Sequence, residues 1–169
     1  TRHEDRSNDG LVVYYVADIW LRSSEYLRTA YVTNGYRSVH DMAAESNAIL
    51  AIDGDYAFSR EYGPIVRNGA FLRDTGFDDI LVYYTDGSMR IFRGNAFDVD
   101  AEMEKGAVQV WSFGPALLDA EGKSIDKFNT NIAGLNPRAA LGYYEPGHYC
   151  FVVVDGRGEN GSRGYKLEE

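Results

Sequence analysis

The spacing of apolar and polar positions marks short strands along most of the chain. Residues 11–20, LVVYYVADIW, hold too many β-branched and aromatic side chains for a helix and read as a buried strand. Tyr26–Thr33 and Ala48–Ile52 read as strands too, the latter buried. Gly63-Pro64 leads into a strand that turns at Asn68-Gly69 and returns over Ala70–Arg73. Asp79–Tyr84 and Ser88–Phe92 flank Thr85-Asp86-Gly87, the pattern of a β-hairpin. Val108–Phe113 is a further strand, broken by Ser112-Phe113-Gly114-Pro115, and Ala116–Asp119 runs on to the turn Glu121-Gly122-Lys123. Ala139–Tyr144 and Tyr149–Val154 form a second hairpin across Glu145-Pro146-Gly147-His148.

Helical signals are few. Ser38 caps a helix running to about Asn47, with Val39, Met42 and Ala43 on one face. Asp98 caps another that ends at Lys105, before Gly106. Strands from first to last with two modest helices predict a single α+β domain, a mixed, largely antiparallel sheet covered by helices. Ala48–Ile52, Val108–Ser112 and Tyr149–Val154 lack polar alternation and are expected as buried strands of one sheet. Residues 1–10, TRHEDRSNDG, are polar throughout and predict a flexible N-terminus. Residues 124–135 show no clean period and read as a long loop, of the kind that walls or covers a site.

Composition narrows the function classes. A net charge of -9 excludes a general binder of nucleic acid or of an anionic membrane, which needs a basic face. The 13 tyrosines suit a cleft that stacks on sugar rings. Cys150, the single cysteine, sits within an apolar strand and reads as an inert buried thiol, and no disulfide or paired-cysteine metal site can form. No apolar run approaches the ~18 residues of a membrane-spanning helix. No signal peptide opens the chain; an export signal or anchor removed ahead of Thr1 would place it outside the cytoplasm. The dinucleotide-binding GxGxxG pattern is missing, and His3, His40 and His148 frame no nucleophilic triad. Hydrolysis would have to run on carboxylates.

Candidate chemistry gathers at the open ends of the second hairpin. Asn136-Pro137-Arg138 enters its first strand and Asp155-Gly156-Arg157 leaves its second, so a hairpin brings Arg138 and Arg157 near each other with Asp155 alongside. Such a cluster either closes the hairpin as structural ion pairs or grips an anion between two forked guanidiniums, with a carboxylate beside it. Asp53-Gly54-Asp55-Tyr56 ends an apolar run and can be a turn, a metal site or a catalytic group. The metal reading is weak, because no further acidic residue follows at the spacing of a calcium loop.

NPRAALG followed by VVVDGRGENGSRGYKL resembles the phosphodiester glycosidase family. YYVADIWL, LRTAYV, AILAIDGDYAFSR, GPIVRNG and VWSFGPALL agree in the same order, so the resemblance spans nearly the whole chain. It implies a hydrolase that cleaves the glycosidic bond of a sugar-1-phosphodiester, N-acetylglucosamine-like or from an exopolysaccharide or cell wall; no cofactor is expected, and no metal ligand among the site residues. The rival reading is a non-catalytic saccharide- or phosphate-binding module. Carried onto this sequence, the resemblance implies Asp155 and Asp55 as catalytic carboxylates. It implies Arg138, Arg157, Asp53, Asn68, Ser112, Asn136, Gly156 and Ser162 around the substrate. Two positions depart from the family pattern, Asp53 standing for its usual Asn and Ala139 for its usual Thr. The pattern also continues beyond Glu169 through a helix to an NLDGGGS-like loop, with Ser162 to Glu169 read as the first turn of that helix. The hairpin is then expected to show an open edge, filled by further chain, a second polypeptide or a symmetry-related copy.

Overall fold

The computed structural model describes every residue except 77, 78, 94–96, 113, 120 and 129. Among these residues it contains nine strands, β1 (Arg2–Ser7), β2 (Gly10–Trp20), β3 (Ile65–Arg67), β4 (Ala70–Arg73), β5 (Ile80–Tyr84), β6 (Met89–Phe92), β7 (Ala107–Ser112), β8 (Arg138–Glu145) and β9 (His148–Val154). Two α-helices lie between them, α1 (Val39–Glu45) and α2 (Val99–Glu104). The chain clusters into two compact units, one of residues 1–19, 115–144 and 148–169 and the other of residues 20–114 with 145–147.

The first unit is built on a four-stranded sheet in the order β1-β2-β9-β8. The polar N-terminus, expected to be flexible, instead forms β1 and pairs antiparallel with β2 from Arg2↔Tyr15 to Ser7↔Gly10. Every residue of β1 is exposed, so main-chain bonds rather than burial hold it there, and no apolar alternation could announce it. β2 matches the strand read at 11–20, but its burial centres on Val12 and Val13. Tyr149, Phe151 and Val154 of β9 supply the other buried apolar side chains described in this unit. β8 lies on the outer edge of this sheet, as the sequence led one to expect of the hairpin.

The second unit holds a five-stranded sheet, β4-β3-β7-β5-β6, whose paired neighbours all run antiparallel. Two of the strand turns read from sequence are present here, at Asn68-Gly69 and around Asp86-Gly87. Asn68 itself takes the left-handed conformation (φ 52°) that Asn tolerates better than most side chains. Val66, Ile80, Val82, Tyr84, Val99, Ala107 and Val110 form the core, so α2 packs Val99 against the sheet. The Asp98 carboxylate accepts from the Ala101 amide at 3.0 Å, the cap its sequence implied. Ser38 likewise caps α1 through the Asp41 amide (3.0 Å), but α1 buries no residue.

Several expectations are corrected. The single sheet covered by helices is two sheets, with one helix packed on one of them. Ala48–Ile52 is not a strand; Ile49 is 105% exposed and Leu50 49%. Tyr26–Thr33 is not a strand either, and only a 3-10 turn, Ser24–Tyr26, touches it. β7 is a buried strand as read, but β9 is buried only in part, with Val153 37% exposed, and the two belong to different sheets. The break expected at 112–115 includes Phe113, outside the described residues. Ser162 to Glu169 does not open a helix: Tyr165 bridges Asn136 and the chain ends in a turn.

Candidate functional site

Six of the sequence-derived site residues gather where β8 begins and β9 ends. Asn136 is tied to Tyr165 by two main-chain bonds, 3.2 and 3.1 Å. Gly156 is packed so tightly against this strand entrance that a Cβ would stand 2.5 Å from the Pro137 nitrogen. Its missing side chain therefore serves close backbone approach. Ser162, with 0% exposure, is the knot of the region. Its Oγ donates to the Asp155 carbonyl at 2.7 Å and accepts from the amides of Val13 (3.0 Å) and Gly164 (3.3 Å). A hydroxyl spent in this way fixes the end of β9 against β2.

Arg138 and Arg157 differ in kind. Arg138 Nε donates to the Tyr165 carbonyl at 3.0 Å, and its Nη2 to the carbonyls of Ile132 (2.7 Å), Ala133 and Gly134. Burial lowers its pKa from the ordinary guanidinium value. Much of its fork is therefore committed to holding the 132–134 loop, as a main-chain brace. Arg157 is exposed and takes a left-handed backbone (φ 55°), strained for a side chain of this size. Between them in the sequence, Asp155 accepts one bond on Oδ2, from Asn160 Nδ2 at 2.8 Å. Its amide is anchored to the Val13 carbonyl (2.9 Å), so the carboxylate stands on a fixed strand end.

The remaining predicted residues lie in the second unit. Asp55 and Arg67 form a buried ion pair, Arg67 Nη2 to Asp55 Oδ1 at 2.5 Å, with side chains 6% and 1% exposed. The Ser112 amide donates to Asp55 Oδ2 at 3.0 Å, so both carboxylate oxygens are occupied. Arg67 Nη1 also donates to the carbonyls of Val66 (3.2 Å) and Val110, while its Nε is buried with no partner among the described residues. Asn68 is fully engaged: Oδ1 accepts from the Thr29 amide (3.1 Å) and Gln109 Nε2 (2.7 Å), and Nδ2 donates to the Thr29 carbonyl (2.9 Å). Asp53 is exposed. Among the described residues no group of three His, Cys, Asp or Glu side chains is placed to hold a metal ion.

Arg67 is the residue the sequence reading missed. The signal was present in GPIVRNG, where an arginine follows three apolar positions into a turn; a charge there is buried and needs a partner. Which partner was not legible, since Asp55 and Val110 lie 12 and 43 residues away.

The residues thus combine a mostly antiparallel two-sheet architecture with an Asp-Gly-Arg strand end, a buried Asp–Arg pair and a serine knot. The chain belongs to the phosphodiester glycosidase family, whose model matches residues 46–169. Among solved structures it is similar to the zebrafish N-acetylglucosamine-1-phosphodiester alpha-N-acetylglucosaminidase catalytic domain, auto-inhibited by its pro-peptide. The TM-score is 0.57 at 15% identity, over 99% of this chain and 63% of that one, a likeness of fold. It is also 27% identical over 135 residues to the SPbeta prophage-derived uncharacterized protein YomE of Bacillus subtilis (strain 168). That match takes in 74% of this chain and 21% of the Bacillus protein.

Proposed function

We propose that the chain carries the hydrolase machinery for a sugar-1-phosphodiester, with Asp155 as the reacting carboxylate and Arg157 as the phosphate contact. The observation that carries this reading is the state of Asp155. It sits on a rigid strand end with Oδ2 held by Asn160, and among the described residues Oδ1 accepts no hydrogen bond. A carboxylate so placed can stabilise positive charge at the anomeric carbon or activate water. The leaving phosphate is already acidic, so it needs charge neutralisation more than a proton, and an exposed guanidinium supplies that. Family membership supports the reaction type. A saccharide of the cell wall or an exopolysaccharide, met outside the cytoplasm, is the substrate setting this reading favours.

One observation favours a second reading, a binding module without turnover. Glycosidases work with two carboxylates, and both oxygens of Asp55 are already taken by Arg67 and Ser112. The two readings separate in one experiment on N-acetylglucosamine-1-phosphodiester, with turnover and binding measured on the same samples. Asp155→Asn should cut kcat by a factor on the order of 100 or more while binding holds, and Arg157→Ala should weaken binding. Normal turnover by Asp155→Asn moves the chemistry elsewhere. Binding with no turnover in the unaltered protein leaves the module.

A further inference from the structure

We propose that a small cleft in the second unit, walled by residues 33–36 and 58–59, is a subsite for one uncharged sugar ring. The inference rests on the reading that the substrate is a saccharide. The cleft measures about 170 Å³ and is lined by Thr33, Asn34, Gly35, Tyr36, Phe58 and Ser59. That lining has a particular chemistry. It contains no carboxylate, ammonium, guanidinium or imidazole, so nothing in it neutralises a phosphate or a basic ligand. Three hydroxyls and one amide offer both donors and acceptors, and two aromatic rings offer apolar faces. A polyol is the ligand with the matching surface, hydroxyl edges around a ring with C–H faces.

Size selects further. Sites for drug-sized ligands begin near ~300 Å³, so this cleft takes one ring and leaves the rest of a glycan outside. Its walls are also built before any ligand arrives. Tyr31, two residues before Thr33, stacks on Phe58 with ring centroids 5.6 Å apart, which holds that wall beside the chain leading into the other. Upstream, Thr29 is pinned by two bonds to Asn68 and by the Trp111 indole, whose Nε1 donates to Thr29 Oγ1 at 3.1 Å. A preformed site loses little conformational freedom on binding. Tyr36 is 86% exposed, so burial gives no reason for an aromatic ring at that position.

The test uses phosphate-free probes, the methyl glycosides of N-acetylglucosamine, glucose and galactose, titrated into the whole chain and followed by backbone amide NMR. At least one should move the amides of Gly35, Tyr36 and Ser59 to saturation, and inorganic phosphate should leave them still. Tyr36→Ala and Phe58→Ala should each weaken that binding by roughly three- to tenfold, the worth of one aromatic contact. Tyr36→Ala is the decisive variant, because removing so exposed a ring cannot unfold the protein. The proposal falls if none of the glycosides shifts these amides, or if Tyr36→Ala binds as the unaltered chain does. A chain that binds the glycoside here yet cleaves no phosphodiester sinks the hydrolase reading and leaves this one standing.

Discussion

Asp55→Asn isolates what the buried ion pair contributes. The substitution keeps the size of the side chain and an oxygen for the Ser112 amide, but removes the negative charge facing Arg67. With Arg67 1% exposed, water cannot replace the lost partner. Removing one member of a buried pair costs about 3–5 kcal/mol, because the other charge stays behind unpaired. Whole domains are stable by only about 5–15 kcal/mol, so the loss is a large share of the total. For a chain of 169 residues, each kcal/mol moves Tm by about 2–4 °C, and the variant should melt roughly 10 °C lower. Asp55→Asn with Arg67→Met removes both charges and also the partnerless Nε. With no guanidinium left stranded, the largest part of that cost is gone, so this double variant should regain part of the loss. Urea unfolding followed by circular dichroism measures all three proteins. A loss below about 1 kcal/mol for Asp55→Asn, the scale of a surface pair, would refute the argument. So would a double variant no more stable than the single one, since Arg67's bonds to the Val66 and Val110 carbonyls would then matter more than its charge partner.

Ser162→Ala should cost about 2 kcal/mol, because it leaves the buried Val13 amide and the Asp155 carbonyl each short of a bond. Faster hydrogen exchange at the Val13 amide would report that loss locally, and unchanged exchange would contradict it. The chain end should show its own acid response. The Arg163 guanidinium holds the Glu169 carboxyl down at about 2, from an ordinary 4.5. A depressed carboxylate stabilises the fold above its unfolded pKa, and that contribution fades as pH falls from about 4.5 through about 2. Glu169→Gln should flatten this part of the pH–stability curve and leave the rest unaltered; an unchanged acid limb would argue against the contact.

What could be read from the sequence was mostly local. Turns and caps announce themselves within four residues, and Asn68-Gly69, Asp86-Gly87, Ser38 and Asp98 all perform as written. The 138–154 hairpin was legible for the same reason, two apolar runs flanking Pro146-Gly147. Apolar character without a turn or cap misled, as Ile49 and Leu50 face water where a buried strand was expected. β1 shows the converse, a polar segment made a strand by a neighbour's free main chain. Division into two sheets depends on pairings across the chain, which periodicity does not encode. The site was partly visible because Asp155, Gly156 and Arg157 stand together in the sequence. The difference between Arg138, braced on carbonyls, and exposed Arg157 was not, since the 132–134 loop and Tyr165 decide it.

The left-handed backbone at Arg157 sets stability and chemistry against each other at one codon. Glycine adopts φ 55° freely, and arginine there gives up about 1–2 kcal/mol. A library of variants sorted for heat resistance alone would therefore enrich glycine at this position, and with it discard the guanidinium proposed to meet the phosphate. Retention of arginine under such a sort would show that its left-handed backbone costs less than this.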